Sequence, residues 1–99
     1  MPGLIGNHKT TVQRKIKNGI HQEIEVIYHS TPVYTWNKRG YIILNTGGYD
    51  TLTTKRRMNQ AFQEFGYNAR VFSKNFDLFC QFQDKLYTFE GNILKIPLN

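Results

Sequence analysis

Residue types suited to binding chemistry concentrate in the run Asn45-Thr-Gly-Gly-Tyr-Asp-Thr-Leu-Thr-Thr-Lys-Arg-Arg-Met-Asn59. A strand-like stretch ends there in Gly47-Gly48, and a helix then opens with hydroxyls followed by Lys55, Arg56 and Arg57. A helix start exposes backbone N–H donors, glycine lets the backbone approach a ligand closely, and the helix dipole is positive at that end. Gly47, Gly48, Tyr49, Thr51, Thr53, Thr54, Lys55, Arg56 and Arg57 therefore form a candidate anion site, convergent on one or two phosphates. The competing interpretation is structural: a tight strand-to-helix turn, threonines that cap, and cations on a solvated face. Cations at a helix start oppose the dipole, so a run of them is unfavourable unless an anion binds or their long stems carry the charge elsewhere. The GxxxxGK[ST] spacing is absent, so ATP or GTP hydrolysis is not expected.

Charge points the same way. Thirteen Lys plus Arg face seven Asp plus Glu, a formal net charge of +6. The first acid is Glu23, so Lys9, Arg14, Lys15 and Lys17 stand unopposed before it, as a phosphate-contacting arm or a solvated, frayed one. Lys38 and Arg39 occupy an expected turn tip. Tyr34, Trp36, Tyr41 and Tyr49 lie close to basic residues, the combination that base stacking needs, although Trp36 equally suits a core anchor. No RNP-type aromatic motif is visible on adjacent strands. Catalysis has little support: His8, His21 and His29 are scattered, and the acids form no convergent set. No cofactor, metal or enzymatic activity is expected. The single cysteine, Cys80, reads as a buried structural residue.

These residues must be positioned by a small chain. Ninety-nine residues suit one domain, with residues 1–10 a flexible N-terminus and residues 11–99 a single α+β domain. The longest apolar run, Tyr41-Ile-Ile-Leu44, is far too short to span a membrane, and no apolar h-region follows a basic start, so a cytoplasmic location is expected. Asn18-Gly19 signals a hairpin between Val12–Lys17 and Ile20–His29. A two-residue turn there puts polar side chains beside Ile20, Ile24 and Val26 and sets Arg14 opposite Glu23. Either a bulge shifts that register or the first strand is a projecting, half-covered arm, and the arm is the expectation adopted. Strands follow at residues 32–37 and 40–46, joined by an Asn37–Gly40 turn. Thr54, Met58, Ala61, Phe62 and Phe65 fall on one stripe of a helix capped by Thr53 or Thr54 and stopped by Gly66. Strands at residues 67–72, 75–82 and 85–90 come next, and Ile93, Leu94 and Ile96 pack the tail on the core. The order β-β-β-β-α-β-β-β describes an α+β fold, an antiparallel β-sheet with a single covering helix.

Tyr28-His-Ser-Thr-Pro-Val-Tyr-Thr-Trp36, the Asn37–Gly40 turn, Ile42-Ile-Leu-Asn-Thr-Gly-Gly-Tyr49 and Thr53-Thr-Lys-Arg-Arg-Met-Asn59 together resemble a family of small proteins of tailed bacteriophages, including phages of cyanobacteria. The resemblance covers about residues 26 to 60, with Gly47-Gly48, Thr53-Thr54, Arg57 and Asn59 its most specific points. It leaves residues 1 to 22 outside, which would make the basic arm particular to this chain. It implies phage origin and expression in an infected bacterium, and no established activity. The first expectation is a non-enzymatic nucleic-acid-binding protein using Lys15, Lys17, Lys38, Arg39 and the helix start. A nucleotide-phosphate-binding anti-defence protein built on Gly47 to Arg57 is the alternative, and an inhibitor of a host protein the third. Self-association as a homo-oligomer stays open.

Overall fold

A computed structural model describes residues 9–48 and 52–98. Its elements are β1 (Thr10–Lys17), β2 (Ile20–Tyr28), β3 (Thr31–Asn37), β4 (Tyr41–Asn45), α1 (Leu52–Glu64), β5 (Ala69–Lys74), β6 (Asp77–Phe82), β7 (Lys85–Thr88) and β8 (Ile93–Pro97). The protein is α+β and mostly sheet, with every strand pairing antiparallel. The strands divide into a five-stranded sheet, β1-β2-β3-β4-β8, and a three-stranded sheet, β5-β6-β7. The tail thus does more than pack on the core: as β8 it adds a strand beside β4. A row of facing residues, Val12, Val26, Tyr34, Leu44 and Leu94, runs across the whole larger sheet on its covered side. The core joins these to Met58, Ala61 and Phe62 of α1 and to Val71, Cys80 and Phe82 of the smaller sheet.

The helix follows its sequence signals closely at the C-terminal end. Gly66 has φ +84°. The Gly66 amide donates to Gln63 O at 3.3 Å and the Tyr67 amide to Phe62 O at 2.8 Å, the paired bonds of a Schellman stop. Tyr67 also meets Phe62 edge to face. At the other end the helix begins at Leu52, so Thr53 and Thr54 lie inside its first turn rather than at its cap. The cap position falls outside the described residues.

The β1–β2 hairpin needs a correction. Lys17 pairs with Ile20 as expected, but a bulge between Lys15 and Ile16 then shifts the register, so Lys15 faces Glu23 and Arg14 faces Ile24. The bulge carries Val12 onto the covered side opposite Val26, where it packs on the core. Burial of an apolar row decides register, because a one-residue slip sends every side chain to the other face. The strand is both bulged and an edge strand, and only its hairpin end projects, with Ile16 and Ile20 exposed.

Candidate functional site

The residues singled out from sequence separate into two groups at opposite ends of the five-stranded sheet. In an up-and-down meander the β1–β2 and β3–β4 turns share one end, and the β4–α1 connection lies at the other. At the first end, Lys15, Lys38 and Arg39 line one open crevice with Gln22, Glu23 and Asn37. The Asn37 side chain builds this corner: Oδ1 accepts from the Arg39 amide at 2.8 Å and Nδ2 donates to Glu23 Oε2 at 3.2 Å. Gly40, at φ +106°, closes the turn and leaves Lys38 and Arg39 exposed at the tip. Lys15 Nζ meets Glu23 Oε1 at 3.0 Å, and that hydrogen bond with the carboxylate's charge raises the ammonium pKa. Lys15 is thus partly satisfied within the protein. Lys17 is exposed on the same hairpin.

At the second end the helix-start cations diverge. Successive helical residues point about 100° apart, so three in a row cannot aim at one ligand. Lys55 Nζ donates to Ser73 Oγ at 2.7 Å, on the β5 side. Arg57 turns the other way and is buried: Nε donates to Thr10 Oγ1 at 2.9 Å, Nη1 to Gln60 Oε1 at 3.0 Å, and the guanidinium sits 5.7 Å from the Tyr28 ring centroid. Arg56, between them, is exposed. The long stems do carry charge away from the dipole, one of the two ways out of an unfavourable cluster. The signal for Arg57 was present in the sequence, since it stands three residues after Thr54 and four before Ala61, inside the buried stripe.

The two glycine amides have partners within their own turn. Gly47 N donates to Asn45 Oδ1 at 2.8 Å and Gly48 N to Thr46 Oγ1 at 3.2 Å. Gly47, at φ +65°, lies so close to Thr31 that a β-carbon would stand 2.5 Å from Thr31 Oγ1. That position requires glycine for packing as well as for φ. Tyr49 and Thr51 lie outside the described residues. Beside this turn is a cleft of about 520 Å³ lined by Tyr28, His29, Ser30, Thr31, Val33, Thr46 and Thr54, rich in hydroxyls and with no Lys or Arg among its described lining residues. Among the described residues no group of three or more His, Cys, Asp or Glu could hold a metal. Trp36 lies half-buried against the core.

One surface was not assembled from sequence. On β5 and β6, Val71 and Cys80 face the core, so their neighbours face outward. Phe72 stands opposite Phe79 with ring centroids 5.7 Å apart and an interplanar angle of 25°. Arg70 lies 6.0 Å from the Phe72 ring centroid. The available signal was parity: Phe79 alternates with Asp77 and Gln81, an aromatic on a polar face. No RNP consensus is present, yet the register pairs two phenylalanines on adjacent strands.

Asn59, one of the specific points of the resemblance, has a structural task. Its Nδ2 donates to Val71 O at 3.1 Å and its Oδ1 accepts from Val71 N at 2.6 Å. The side chain thereby completes the open edge of β5 and fixes the smaller sheet to the helix.

No helix among the described residues is long and apolar enough to cross a membrane. Comparison with curated proteins and with solved structures finds no match. The model of the Kyanoviridae Gp96 protein family does match, over residues 4–95, which extends well past the region of about residues 26 to 60 and takes in the basic β1 arm. The arm therefore lies inside the matched region rather than outside it, and the chain belongs to the Kyanoviridae Gp96 family of phage proteins.

Proposed function

We propose that the protein is a non-enzymatic nucleic-acid-binding protein, acting in the cytoplasm of the infected bacterium and holding its partner by basic groups spread over the surface. The observation that carries this reading is the divergence of the cations. Lys17, Lys38 and Arg39 are exposed at one end of the larger sheet, whereas Arg56 is exposed at the other, beside Lys55. In a molecule with extents of 45 × 32 × 23 Å, a single phosphate group cannot engage both ends. A nucleic acid can, because it presents charge along its whole length. A net charge of +6 supports the same preference for a polyanion.

The test is a salt titration of binding to single- and double-stranded oligonucleotides. Affinity is expected to fall with salt by about 0.7 log units per single-stranded phosphate contact and about 0.9 per duplex contact, per log unit of salt. Lys38→Glu with Arg39→Glu, and separately Arg56→Glu, are each expected to flatten that slope. Absence of binding at low salt would refute the reading. The hydroxyl-lined cleft of about 520 Å³ favours a second one, a nucleotide-phosphate-binding anti-defence role, since its size suits a small ligand. A screen of cyclic and linear nucleotides against the unmodified protein tests it.

A further inference from the structure

We infer that the outer face of the three-stranded sheet is a stacking platform for the bases of a single-stranded nucleic acid, with Phe72 and Phe79 as its two rings. This rests on the nucleic-acid reading and deepens it, since it names the form of the partner and the place where its bases lie. Two facing rows make up the platform. Phe72, Phe79 and Thr88 form one, and Arg70, Gln81 and Leu86 the other. The rings are half-buried and near parallel, so each keeps one flank in the sheet and offers the rest outward. Leu86 is exposed, and its apolar surface widens the face.

Three features favour a nucleic-acid strand over an apolar partner surface. Near-parallel aromatic rings on adjacent strands of an open sheet are what unpaired bases stack on, and every base has a π-face. The Arg70 guanidinium, held over the Phe72 ring, supplies positive charge at the platform itself and can stack or meet a phosphate. Lys74 lies at the other end of the same outer row of β5, although Asp77 stands opposite it. Ser73, between Phe72 and Lys74, faces the helix side of β5 and accepts from Lys55, so that lysine stands behind the platform rather than on it. A duplex cannot use the rings, because its bases are stacked on each other.

The test uses the full chain, with labelled oligothymidylate, oligouridylate and a duplex of equal length. Phe72→Leu with Phe79→Leu keeps apolar volume and removes the rings. Single-strand affinity is expected to fall about tenfold for each base that loses its ring, with duplex affinity and the salt slope unchanged. The two single-stranded probes show whether DNA or RNA is preferred. In the unmodified protein, carbon-labelled phenylalanine is expected to show ring shifts at Phe72 and Phe79 on adding the single strand, with the core rings of Phe62 and Phe82 unmoved; this holds even where the double variant does not fold. Single-strand binding that is undiminished in a folded double variant, or unshifted Phe72 and Phe79 rings in a protein that binds, would overturn the platform alone and leave the basic-surface reading in place. Absence of binding to any probe would overturn both. A dimer seen by sedimentation and lost in the double variant, with oligonucleotide binding retained, would overturn the platform in favour of self-association.

Discussion

Arg57 is expected to be a structural residue, and its removal should cost stability rather than binding. In Arg57→Met the buried stem is retained while the guanidinium is lost, so packing is held nearly constant. Two charged hydrogen bonds go, to Thr10 Oγ1 and Gln60 Oε1, together with the contact over Tyr28. Hydrogen bonds to charged groups contribute about 1.5–3 kcal/mol each and a partly desolvated cation–π contact about 1 kcal/mol. Desolvation of the guanidinium offsets much of that sum, since the side chain is only 7% exposed. The expected net loss is about 2–3 kcal/mol, and about 1 kcal/mol more for Arg57→Ala, which also removes the stem. Urea denaturation at neutral pH measures both. Arg56→Glu is the matched control: the residue is exposed and past the first turn, so its change should lie within about 0.5 kcal/mol. Oligonucleotide affinity should respond in the opposite order, with Arg56→Glu weakening it and Arg57→Met leaving it nearly unchanged at temperatures where the variant is folded. An Arg57→Met protein of undiminished stability that no longer binds would refute this reasoning and restore Arg57 to the anion site.

Tyr34→Phe should stabilise the protein by about 1 kcal/mol, because the Tyr34 hydroxyl is fully buried without a hydrogen-bond partner among the described residues; a thermal melt showing a loss would reveal a bond to that oxygen. Asn59→Ala should cost about 2–3 kcal/mol and speed exchange of the Val71 amide, whose partner is the Asn59 carbonyl oxygen; unchanged protection there would disprove the edge-completing role. Burial pushes the Cys80 thiol up to about 12 from 9.0, the backbone bond from Arg70 opposing only in part. In the unfolded chain the thiol ionises first, so the Cys80 contribution to stability is complete below pH 9.0 and is lost progressively as pH rises toward about 12. The gap in urea midpoint between the unmodified protein and Cys80→Ala should therefore narrow as pH rises above 9.0 toward about 12, and a constant gap there would show that the thiol is not held protonated.

The features legible in sequence are those set within a few residues of chain. The stripe Thr54, Met58, Ala61, Phe62 and Phe65 follows from helical spacing. Gly66 follows from its tolerance of positive φ, as do the Asn18-Gly19 and Asn37–Gly40 turns. Helical spacing also held the place of Arg57, but its charge drew it into the basic cluster. Tertiary structure alone decided the rest. The division into two sheets depends on the tail returning to β4, and the bulge at Lys15 and Ile16 on which apolar row the helix covers. The directions of Lys55 and Arg57 depend on a helix lodged between β5 on one side and β1 and β2 on the other. Phe72 and Phe79 become a pair only through the β5–β6 register. Local backbone preferences act over one turn of chain and can be read from neighbours in sequence. Register, helix rotation and the pairing of distant surfaces are settled by burial of apolar area shared among all the elements at once.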